Sequence, residues 1–350
     1  MNNHMKIINI ISGKGGTGKT LFTAVVAEML GNEGASVLVV DLDVFVRGLT
    51  ALLYFHKNES LKITENEDIP VSAFFKTKGI LNNKNYNKNI SISRYRSFDV
   101  FPSVTAVNEL LDFRDIMPDN VEEATCILND LLDSIPNKYD FIFFDSRAGY
   151  DELISASHSI SDLSICVEED DDISMVTTDN LIEQLRRDSK SKNLFRVKNK
   201  VRTEKRPFEG ASNGITFLGN IPFDTDVLNS FGTKSFWGDI SKSIYREAVI
   251  GVWNTLSKKM SLGFTMKETR ISPLGNKKVE KKLSMLSSLN RVFFVYGVII
   301  SIVSSLLVFG GNKFLNELLG VFDDPIRLVA LITSLFGISM TVFSVFRNRK

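Results

Sequence analysis

The chain has 350 residues, with 42 Lys and Arg against 41 Asp and Glu, for a formal charge of +1. That balance excludes a global electrostatic pull toward nucleic acid, so any such binding would have to be local. Two distant cysteines (Cys126 and Cys166) and three scattered histidines exclude a disulfide framework and a histidine or zinc-type metal site, and they fit a reducing compartment.

Met1–Met5 lacks the basic and apolar regions of a signal peptide. Lys6–Ile11 reads as a strand, and a helical pattern runs from Leu21 to Leu30. Between them lies Ser12-Gly-Lys-Gly-Gly-Thr-Gly-Lys-Thr20, with the phosphate-loop spacing Gly-x-x-x-x-Gly-Lys-Thr over Gly13–Thr20. Gly13, Gly15, Gly16, Thr17 and Gly18 let backbone N–H groups turn toward a polyphosphate. Lys19 is placed to reach the β- and γ-phosphates, Thr20 to ligate Mg²⁺, and the helix that follows offers its positive end to the anion. Lys14 is a second lysine near the start of the loop.

Ser36–Asp41 reads as the second strand and ends in Asp41-Leu-Asp43 at the edge where open α/β sheets bind ligands. An Asn- and Lys-rich surface insertion is expected between Tyr54 and Arg96. Further strands are expected at Phe98–Pro102 and Phe141–Phe144, the latter running into Asp145 as a Walker B strand does. In this reading Asp145 supports the metal, while Asp43 contributes to the metal site and orients or deprotonates the attacking water. The strand Leu163–Val167 precedes Glu168-Glu-Asp-Asp-Asp172, read as acids at a helix N-terminus with a docking site as the sharper alternative.

Arg186–Arg206 holds ten basic residues against Asp188 and Glu204. Its period of two over Phe195–Arg202 predicts a strand with one wet face; lipid headgroups or DNA are alternatives, DNA without direct support. Thr216–Leu218 is a short strand, and Asp239–Met260 a closing helix capped by Asp239 or Ser241. The alternation predicts an α/β fold, a doubly wound, mostly parallel sheet of P-loop NTPase type, over residues 1–260. A basic linker (261–290) and a transmembrane hairpin (291–350) are expected to follow, with spans at about 292–309 and 328–346, each close to the ~20 residues that cross a bilayer. Positive flanks predict insertion in the cytoplasmic membrane, with both termini in the cytoplasm and the lipid bilayer as a partner.

The motifs also resemble a family. Lys14-Gly-Gly-Thr-Gly-Lys-Thr20 is similar to the deviant Walker A of the ParA/MinD ATPases, and Asp41–Leu49 to their first switch segment. Asp145-Ser-Arg-Ala-Gly149 resembles the Asp-Ser-Pro-Ala-Gly of the MinD branch. Asn199-Lys200 after a strand resembles the family's adenine-contacting Asn, and Leu218-Gly-Asn-Ile-Pro222 its segment beside the base. The matches cover roughly residues 5–260. The resemblance implies an ATPase that dimerises face to face around two Mg-ATP molecules, with Lys14 reaching the partner's phosphates and the dimer controlling an unidentified protein partner. Leu21 stands where the family usually has a second Thr, Gly48 where the MinD branch has an Asn that helps hold the water, and Arg147 where it has Pro. These departures keep open an ATP-binding scaffold with little turnover. A bacterial tyrosine kinase is disfavoured by the tail Arg347-Asn-Arg-Lys350, which has no tyrosine, and an iron–sulfur ATPase by the contexts of Cys126 and Cys166.

Overall fold

Strands buried on both faces read as near-continuous apolar runs, and residues 7–11, 37–40, 141–144 and 163–167 supply them, broken only by the buried Asn9 and Ser164. In the computed structural model, which describes residues 5–57, 68–77, 90–106, 108–188, 193–202 and 215–267, these become the centre of one sheet. The chain divides into two compact units, Met1–Thr269 and Arg270–Lys350, and the described residues all fall in the first. Its elements run β1 (Lys6–Ser12), α1 (Lys19–Asn32), β2 (Val37–Asp41), α2 (Gly48–Lys57), α3 (Val71–Lys76), β3 (Ser93–Tyr95), β4 (Phe98–Phe101), α4 (Phe113–Ile116) and α5 (Val121–Ser134). They continue with β5 (Phe141–Ala148), α6 (Glu152–Ile160), β6 (Leu163–Glu169), α7 (Asp172–Asp188), β7 (Asn193–Val201), β8 (Thr216–Pro222), α8 (Thr225–Ser230), α9 (Phe236–Ile240) and α10 (Ile244–Met260).

The eight strands lie in the order β3-β4-β2-β5-β1-β6-β7-β8. Only β3–β4 is antiparallel. Side chains alternate between two cores. Ile8, Ile10, Val37, Val39, Phe141 and Phe143 face α1 and α10, whereas Leu38, Val40, Ile142 and Phe144 face α3, α5 and α6. Because β5 lies between β2 and β1, the strand ends bearing Asp41, Asp145 and Ser12 stand side by side, with Asp41 in register with Asp145. That edge is where the phosphate loop emerges.

Two local expectations change. The three-residue strand β3 is too short and too polar to show a period, and it forms by pairing back on β4. The closing helix is split into α9 and α10. Ser243, rather than Asp239 or Ser241, caps the long helix, its hydroxyl accepting from Arg246 N at 3.1 Å.

The membrane placement is corrected. Among the described residues no helix is long and apolar enough to cross a membrane; α7 and α10, of 17 residues each, both carry charges. The runs 292–309 and 328–346, and nearly all of the 261–290 linker, lie outside the described residues, as do 58–67, 78–89, 189–192 and 203–206 of the insertion and the basic stretch. An apolar run meets the length criterion for a bilayer without specifying what covers it, and the expectation went beyond that signal.

Candidate functional site

The phosphate loop is shaped by what its glycines avoid. Gly16 and Gly18 have φ of +80° and +90°, a left-handed backbone that side-chain-bearing residues rarely adopt. A Cβ on Gly13 would lie 2.3 Å from the Thr177 carbonyl carbon of α7, and one on Gly18 would lie 2.4 Å from Asn199 Nδ2. Gly15 and Gly16 instead face open space. The loop is therefore gripped at both ends and open along its middle.

Lys19 opens α1 and is 8% exposed. Its ammonium donates to Ser12 Oγ at 2.9 Å, and Ser12 donates in turn to Lys14 O at 2.7 Å. Burial lowers its pKa, while the charges of Asp145 and Asp43 oppose that shift. Asp145 is 1% exposed, and its pKa is pushed up to about 6 by burial, against the pull of Lys19 and the Thr20 hydroxyl. Asp41, fully buried, is pushed up to about 8 by burial and by the charge of Asp145. Thr50 donates to it twice, from its N at 2.8 Å and its Oγ1 at 2.7 Å. Asp43 sits in the loop beyond, accepting from Val46 N and, through its carbonyl, from Arg47 N.

The structure thus gathers Gly13–Thr20, Asp43 and Asp145 at one edge. Asn199, at the end of β7, is fully buried: its Nδ2 donates to Thr17 O at 2.8 Å and its Oδ1 accepts from Lys200 N at 2.9 Å. It braces the loop from the side where the resemblance places the base. Pro222 ends β8, in register with Val201. Leu21 is 2% exposed, inside the core. Arg147, near the end of β5, packs against the Phe45 and Phe113 rings and pairs with Asp151 at 3.3 Å, which ties the end of β5 to the segment after β2 and to α4.

The two charged stretches answer each other, a relation that neither shows alone. β6 and β7 pair in parallel, which brings the acids opposite the cations. Glu168 takes Arg196 at 2.6 Å and Asp170 takes Lys198 at 3.1 Å, with all four side chains largely buried. Asp179 of α7 holds the other side of Arg196 at 2.8 Å. Glu169 and Asp171 hold Lys14, at 2.9 and 2.8 Å. Glu169 also pairs with Lys200 at 2.6 Å, and Lys200 donates to the loop carbonyl of Gly16. Asp172 does open α7, as the acidic run suggested. Arg196 and Lys198 do not form the wet face expected of the basic stretch.

Of the seven buried side-chain oxygens without a hydrogen-bond partner among the described residues, two, Thr17 Oγ1 and Asp145 Oδ2, belong to this site. Orphaned acceptors beside a buried ammonium and an open glycine cradle suit a polyanion with its counter-cation. Among the described residues no group of three or more His, Cys, Asp or Glu side chains could hold a metal by itself. Asp145 and Asp43 at this edge supply the one or two carboxylates that Mg²⁺ takes alongside waters and phosphate oxygens.

A family model described as an AAA domain matches residues 5–196, more than half of the chain. The chain belongs to that AAA family. A protein named as the septum site-determining protein MinD in Emiliania huxleyi is 32% identical over 147 residues, 42% of this chain and 46% of that relative. The chain therefore spans about half the length of this curated relative. Among solved structures, MinD from Pyrococcus horikoshii, complexed with Mg-ADP, superposes with a TM-score of 0.55 at 21% identity, covering 75% of this chain and all of that one. The MinC:MinD complex from Aquifex aeolicus gives 0.51 at 22%, covering 76% and all of that chain. At these identities the likeness is one of fold.

Proposed function

We propose that this domain binds Mg-ATP, pairs with a second copy around the nucleotide and hydrolyses it slowly, so that the pair controls the assembly or position of a partner protein. The observation that carries the reading is the buried, unpartnered Asp145 Oδ2 beside Lys19, at the mouth of an open glycine cradle. The Mg-ADP complex of the Pyrococcus MinD and the MinC:MinD pairing of the Aquifex protein are consistent with it.

In this reading the N–H groups of Gly15–Gly18 and the ammonium of Lys19 hold the phosphates, and Gly13 fixes the loop against α7. Thr20, Asp145 and Asp43 hold the magnesium ion, which when bound neutralises phosphate charge and polarises the transferring group. Asp43 orients the attacking water and accepts its proton. Asn199 and Pro222 border the base, Asn199 while bracing the loop through Thr17. Lys14 lies at the rim, placed to serve a second copy of the chain.

A second reading, an ATP-binding scaffold with little turnover, is favoured by Gly48. It offers no side chain to hold a water, and a Cβ there would lie 3.2 Å from Thr20 Oγ1. Equilibrium binding of a fluorescent ATP analogue, with and without Mg²⁺, tests the shared part of both. Wild type should bind in a Mg²⁺-dependent manner. Lys19→Ala should weaken binding by roughly 10- to 100-fold, the worth of a lost charge-assisted hydrogen bond. Binding that ignored both Mg²⁺ and Lys19 would refute the site.

A further inference from the structure

Lys14 is the residue the dimer reading sends across to the partner, yet here it is engaged at home. Its ammonium lies 2.8 Å from Asp171 Oδ2, on the turn that joins β6 to α7, and 2.9 Å from Glu169 Oε2, at the end of β6. Two further contacts tie this region to the loop. Gly13 packs on the Thr177 backbone within α7, and Lys200, in a left-handed conformation with φ of +57°, spans Glu169 Oε1 and the Gly16 carbonyl. With two of its three N–H donors turned to carboxylates of its own subunit, Lys14 has to give up at least one of them to set more than one donor on phosphate oxygens of another molecule.

We propose that Glu169 and Asp171 form a cis latch that parks Lys14 on its own subunit, and that opening this latch is a condition for pairing with a second copy of the chain. The inference rests on the dimer reading and adds its control point. Phosphate charge entering the loop would draw both lysines and repel both acids, so the ligand that assembles the pair is also the one that loosens the latch. The charge on Asp171 has little structural duty of its own: its Oδ1 accepts from Ser174 N at 2.8 Å, which an amide oxygen does equally well. The raised pKa of Lys14 and the lowered pKa of Asp171, each through its hydrogen bond to the other, agree with this ion pair.

Asp171→Asn and Glu169→Gln in the full-length chain test this. Dimerisation is followed by light scattering against protein concentration in a non-hydrolysable ATP analogue, and monomer nucleotide affinity is measured alongside. Each variant should dimerise at about three- to fivefold lower concentration, the scale of a lost part-exposed ion pair. Dimerisation is compared at saturating analogue, because monomer nucleotide affinity should itself rise once the acids that repel the incoming phosphate are neutral. Asp170→Asn, which neutralises the neighbouring acid that holds Lys198 and does not touch Lys14, should leave the dimerisation midpoint where it is, whereas a general effect of removing acid charge would shift it too. Lys14-dependent dimers whose midpoint ignores Asp171 and Glu169 would overturn the latch alone. Nucleotide binding with no dimer, even in the double acid variant, would overturn the dimer reading and the latch with it.

Discussion

At the scale of single residues, the site depends on carboxylates held where ionisation is costly. Burial raises Asp145 to about 6 and Asp41 to about 8. The sign follows directly. A carboxyl whose folded pKa exceeds its unfolded value holds extra protons in the native state, so its contribution to stability is intact below about pH 4 and is lost as pH rises through about 6. In nucleotide-free protein, Asp145→Asn should therefore raise the melting temperature at pH 7, corresponding to a gain on the order of 1–3 kcal/mol from the displacement of that pKa. The gain should shrink toward zero near pH 4. Differential scanning calorimetry of both proteins across that range checks it, and a variant less stable at pH 7 would contradict it. The same substitution should abolish the Mg²⁺ dependence of nucleotide binding, since the ion needs the ionised group.

At the scale of elements, fold and function separate along one loop. Gly13→Ala drives a methyl into the α7 backbone and should cost about 1–3 kcal/mol, as overpacking does. Gly15→Ala enters open space and should leave stability within about 0.5 kcal/mol while weakening ATP binding. Urea unfolding and nucleotide titration of the two variants together decide this; equal unfolding midpoints would refute the packing of loop on α7. Across β6 and β7, Arg196→Met strands Glu168, which is 0% exposed, and should cost about 3–5 kcal/mol in the same unfolding assay.

These elements also show what could be read before folding. The phosphate loop, Asp43 and Asp145 were legible because each lies at the end of an apolar run, so a local pattern fixed its position at the sheet edge. The Glu168–Arg196 and Asp170–Lys198 pairs were not, because the register of two strands decides which charges meet. Nor was the bracing of the loop by Asn199, whose partner Thr17 lies 182 positions away. Ser243 began the long helix through a single hydroxyl, a signal that the apolar period passed over.

At the scale of the whole molecule, the fold presents one functional edge. The strand order puts β1, β2 and β5 side by side, and the phosphate loop, Asp41 and Asp145 meet at their carboxyl ends, where Gly13 packs on α7. Exposed apolar side chains also border this region: Val46 is 76% exposed in the first switch segment and Ile173 is 71% exposed at the start of α7. A second copy seated against that edge would cover them and bring its Lys14 to the phosphates. Lys14→Ala should accordingly bind ATP as wild type does and fail to pair.

The most direct measurement is light scattering of the full-length chain in ATP, in ADP and without nucleotide, with phosphate release followed in the same samples. A dimer formed only in ATP, lost in Lys14→Ala and decaying as phosphate appears slowly, is the expected result. A molar mass that stays monomeric in all three conditions, with ATP demonstrably bound, would contradict the nucleotide-dependent switch.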